Sequence, residues 1–64
     1  MNETATALEA MIDDMSLAGV LEALAIICLE KAEHVATNWQ DFVLAKQWER
    51  DGQKLDALAS EVES

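Results

Sequence analysis

Apolar residues recurring at helical spacing, in a chain with no proline and only two glycines, constrain this sequence more than any other feature. From Leu17 to about Ala36, the residues Leu17, Val20, Leu21, Leu24, Ile27, Cys28, Ala32 and Val35 return every three or four positions, which places them on one face of an α-helix. From Trp39 to about Val62, Leu44, Trp48, Leu55, Leu58, Ala59 and Val62 form a second such face. No segment alternates with the period of two that a half-buried strand needs, and alanine and leucine favour helix almost everywhere. The expected fold is all-α: a two-helix antiparallel hairpin preceded by a short N-terminal helical segment.

Local signals mark the boundaries. Residues 1–15 carry Leu8, Met11, Ile12 and Met15 on one helical face and read as an N-terminal segment, a short helix or partly disordered. Ser16 follows Asp13 and Asp14. A serine hydroxyl can accept from the free amides of a new helical turn, so Ser16 is read as the N-cap of a helix starting at Leu17. Residues 16–64 then make a single helical-hairpin domain. Thr37 and Asn38 interrupt the pattern, with Thr37 and Gln40 at capping-box spacing, and a tight turn is expected there; one helix running through 37 and 38 is the alternative. Gly52 lies at the edge of the second apolar face. It is read as a point of close helix approach within a continuing helix, although Asp51-Gly52 could also form a turn.

Sixty-four residues bury too small a share of their surface to be stabilised with much margin. Chains this short rely on disulfides, metals, very regular helix packing or oligomerisation, and the single cysteine, Cys28, removes an internal disulfide from that set. The apolar residues outnumber the positions that one hairpin can cover. Ile26 and Leu29 project among Glu22, Glu30 and Glu33, away from the first apolar face, and Trp39, Phe42 and Val43 fall on the other side of the second helix from Leu44 and Trp48. Ile26, Leu29, Trp39, Phe42, Val43 and Trp48 are therefore the expected interface residues, and a homodimer forming a four-helix bundle is the expected assembly.

A formal net charge of −9 repels the phosphate backbone and argues against nucleic acid as a partner. The longest apolar run, Ala23 to Leu29, is far short of the ~20 residues of a membrane span, and the first residues lack the order of a signal peptide. A cytoplasmic location is expected. No spacing of nucleophile, base and orienting group suggests catalysis, and no cofactor is implied. Glu30, Glu33 and His34 form the one ligand-type cluster on a single helix, at a step that departs from the Glu-x-x-His pattern of carboxylate-bridged bundles; a metal-binding half-bundle is the alternative they support. Lys46, Arg50 and Lys54 recur every four residues and read as one basic stripe. The leading expectation is a non-enzymatic protein-interaction module. An acidic inhibitor of a basic partner is a further alternative.

Overall fold

A computed structural model describes residues 2–63. It is all-helical: helix α1 (Glu3–His34), a π-helical turn (Val35–Trp39) and helix α2 (Phe42–Glu61), with α1 and α2 packed against each other. Asn2 opens α1 by accepting from the Ala5 amide at 2.7 Å. The helix is broken once, at Ser16, whose backbone (φ 76°, ψ 163°) is far from helical. Ser16 Oγ accepts from the Gly19 amide at 3.1 Å, so a helical run over 17–34 starts behind a serine cap, as the acids and the hydroxyl suggest.

That break has an energetic cost. A non-glycine residue in this corner of φ/ψ space is strained by about 1 to 3 kcal/mol, whereas glycine enters it freely. Replacing the cap hydroxyl with glycine costs only a few tenths of a kcal/mol. Ser16→Gly is therefore expected to stabilise the fold by about 1 kcal/mol after the added freedom of the unfolded chain is subtracted. A thermal melt followed by circular dichroism checks this, and an unchanged or lower midpoint would show that Ser16 is not strained.

The reversal between the helices lies later than the Thr37/Asn38 signal indicates. Helical structure persists through the π-turn to Trp39, Gln40 takes the left-handed conformation (φ 54°, ψ 29°), and Asp41 caps α2 by accepting from the Leu44 amide at 3.0 Å. A carboxylate at an N-cap satisfies a free amide and also meets the positive end of the helix dipole, so Asp41 supplants Thr37 as the start signal. Asp41→Ala is expected to cost about 1 kcal/mol, read as a lower melting midpoint. Gly52 does not divide α2, which runs unbroken through Asp51 and Gly52.

The helices meet along small residues. Ala25, Ala32, Ala45, Gly52 and Ala59 are buried, and a Cβ added at Gly52 would stand 3.1 Å from Leu29 Cγ and Cδ2 and 3.2 Å from the Ala25 carbonyl oxygen. The spacing explains the register: 25 and 32 on α1, and 45, 52 and 59 on α2, are seven residues apart, so each set returns to one line after two turns. With Ala25 beside Gly52 in an antiparallel pair, the same register sets Ala32 beside Ala45. Small side chains let the backbones approach, but they bury little area. Among the described residues no large side chain is fully enclosed, and Leu24 and Ile27, expected on the covered face of α1, remain 38% and 47% exposed.

The resulting shape is a slab of 37 × 27 × 15 Å with a radius of gyration of 13.4 Å. A compact chain of this length has a radius of about 10.7 Å. Among the described residues no helix is long and apolar enough to cross a membrane.

Candidate interaction surface

Two grooves flank the line of small residues. One, a cavity of about 370 Å³, is lined by Lys31, His34, Val35, Trp39, Leu44 and Trp48. The other, about 300 Å³, is lined by Ala25, Ile26, Leu29, Gly52 and Gln53, with Glu22 and Asp56 at its edges. They lie on opposite faces of the helix pair, because Ile26 and Lys31, like Trp48 and Gln53, are five residues or about 140° apart around their helices.

The two faces differ in how well they are covered. On the Trp48 side Val35 is buried, Leu44, Trp48 and Leu55 are half-buried, and Lys31 Nζ sits 5.5 Å from the Trp48 ring centroid, close enough for a cation–π contact. Val20 is buried there too, although it turns about 140° away from Ala25, while Leu24, Ile27 and Leu58, also turned to this side, remain 38%, 47% and 44% exposed. On the opposite side Ile26 is 59% exposed, Leu29 43% and Phe42 66%. Phe42 belongs to that side because it stands eleven residues, almost three whole turns, before Gln53. Val43 is more exposed still, and Trp39, at the groove on the Trp48 side, is as exposed as Phe42. Of the six expected interface residues, five are thus open to solvent and Trp48 alone is partly covered within the chain.

The basic stripe is also open: Lys46, Arg50 and Lys54 are all exposed, and Lys46 and Arg50 share a shallow groove with Phe42 and Val43. Periodicity revealed the stripe but not that it borders an uncovered aromatic residue.

The carboxylate and imidazole cluster does not assemble into a metal centre within one chain. Glu30, Glu33 and His34 line an open groove with Thr37 and Asn38, and among the described residues no three His, Cys, Asp or Glu side chains come together as a metal site. The ring of His34 is engaged elsewhere. Asn38 Nδ2 lies 2.9 Å from His34 Nδ1 and donates to the His34 carbonyl oxygen at 3.2 Å, while Trp39 packs edge-on against the imidazole with centroids 6.2 Å apart. For the neutral ring this geometry makes Nδ1 the acceptor and leaves the proton on Nε2. His34 and Asn38 thereby tie the last turn of α1 to the π-turn. Cys28 is a buried free thiol packed with the small residues.

No family model, curated protein or solved structure matches the chain. The surface is therefore read from its own chemistry.

Proposed function

We propose that this protein is a non-enzymatic interaction module that works as a self-associated helical hairpin, two copies forming a four-helix bundle whose acidic rim is presented to other proteins. The observation that carries the reading is the surplus of surface. The chain exposes 4905 Å², whereas a folded monomer of 7.0 kDa exposes about 4,040 Å². The excess, roughly 870 Å², is close to the ~800 Å² that each partner contributes to a standard protein interface. Its character fits as well, since among the described residues eleven large hydrophobic side chains are exposed while no large side chain is fully enclosed.

The biochemical consequence is that folding and association are coupled: an assembly that buries this surface stabilises the native state by mass action. The thermal unfolding midpoint is expected to rise with protein concentration. A midpoint independent of concentration, with full helicity throughout, would remove the basis for self-association. Cytoplasmic residence belongs to the same proposal, supported by the unpaired Cys28 thiol, which suits a reducing compartment. Fractionation of cells expressing the tagged chain tests it.

A further inference from the structure

We infer that the groove holding Trp39 and Trp48 binds a small organic monoanion, a single carboxylate on an aliphatic or aromatic body. The inference stands apart from self-association. Small-molecule sites are mostly apolar hollows of roughly 300 to 1,000 Å³ with a few placed polar groups. This groove, of about 370 Å³, has four apolar and two polar lining residues. Val35 is buried at its floor, Leu44 and Trp48 are half-buried, and Trp39, 67% exposed, stands at its rim. An apolar body seated there covers both indoles.

The sign of the ligand follows from the two polar residues, Lys31 and His34, which are neighbours at i and i+3 on α1. Lys31 Nζ already lies 5.5 Å from the Trp48 ring centroid, so the aromatic face that a cationic ligand would seek holds an ammonium of the chain itself. An anion meets that ammonium with the opposite charge. His34 adds a second donor. Asn38 engages Nδ1 and lines the neighbouring groove rather than this one, which leaves Nε2–H as the donor of the ring.

Nearby acids limit the ligand to one charge. Glu30 and Glu33 lie beyond His34 in the neighbouring groove, and on α2 Asp41 and Asp51 stand three residues outside Leu44 and Trp48. None of the four lines this groove. With them close by and a net charge of −9 on the chain, a second negative charge on the ligand is repelled. The apolar body therefore supplies most of the affinity and the carboxylate supplies the selectivity.

The chain has two tryptophans and both line the groove, so their emission reports binding directly. Decanoate, decanol and decyltrimethylammonium, each too dilute to aggregate, are titrated into the full chain with helicity followed on the same samples. Decanol is the more hydrophobic partner of decanoate, so a merely apolar groove would prefer it. The expected result is a saturable blue shift with decanoate, which binds at least as tightly as decanol and about tenfold or more tighter than the ammonium. Lys31→Met keeps the apolar stem and removes the charge; it is expected to weaken decanoate about three- to tenfold and to leave decanol unchanged. Lys54→Met makes the same charge change at an exposed position that lines none of the four grooves described, and is expected to leave both unchanged. The assignment is overturned by no saturable shift with decanoate, by tighter binding of decanol or the ammonium, or by a Lys31→Met loss no greater than that of Lys54→Met.

Discussion

Gly52→Leu is expected to be the most damaging single substitution in the chain, lowering stability by about 3 kcal/mol or more. The first atom of any side chain at this position already meets Leu29 and the Ala25 carbonyl oxygen at 3.1 to 3.2 Å. Leu29 can move aside, but Ala25 O is backbone in the middle of α1, so a branched side chain has to push the helices apart. The separation would also loosen Ala32 from Ala45, because the whole pair shares one seven-residue register. Leucine is a better helix former than glycine by close to 1 kcal/mol, so the isolated helix gains while the packed pair loses. Denaturant unfolding measures the balance. A Gly52→Leu protein as stable as the parent would mean that the helices are not held at this distance by small residues.

The second large effect is expected on association. Ile26→Asp combined with Phe42→Asp should weaken self-association a hundredfold or more while leaving helicity nearly intact. Fully burying one such side chain contributes about 1.5 to 3 kcal/mol, and a symmetric pair loses four of them. The single chain loses little, since Ile26 and Phe42 already face solvent. Sedimentation equilibrium of parent and variant reads the difference. If the variant unfolded instead, these residues would be part of a core within the chain.

The helical character of the chain, the Ser16 cap and the role of Gly52 as a point of close approach were all legible in the sequence. Each rests on a short-range rule: residue propensity, a hydroxyl beside free amides, or the missing Cβ of glycine. The position of the reversal was not legible. Thr37 and Gln40 have capping-box spacing, but the Asp41 carboxylate three residues before the Leu44 amide makes the observed cap, and the intervening π-turn has no distinctive sequence. Periodicity also overstated the large side chains. It placed Leu24 and Ile27 on a covered face, yet a periodic pattern only says which residues share a direction, not whether anything lies in that direction. The contact itself is made by alanines and Gly52, which hydrophobic patterns weight lightly.

For the interaction surface, the sequence identified Ile26, Leu29, Trp39, Phe42 and Val43 as surplus to one hairpin, and all five stand exposed. It could not divide them between faces. That required the Ala25–Gly52 line as an origin. Likewise Glu30, Glu33 and His34 attracted attention as ligand types, but His34 is turned to Asn38 and Trp39 at the reversal, leaving the two carboxylates as charges on an open face.

The account stands most directly on the mass of the protein in solution. Light scattering coupled to size exclusion, across a dilution series with helicity followed on the same samples, is expected to give about 14 kDa, twice the 7.0 kDa of one chain, falling toward the monomer only on strong dilution. A fully helical, stable species of 7.0 kDa at every concentration would contradict it.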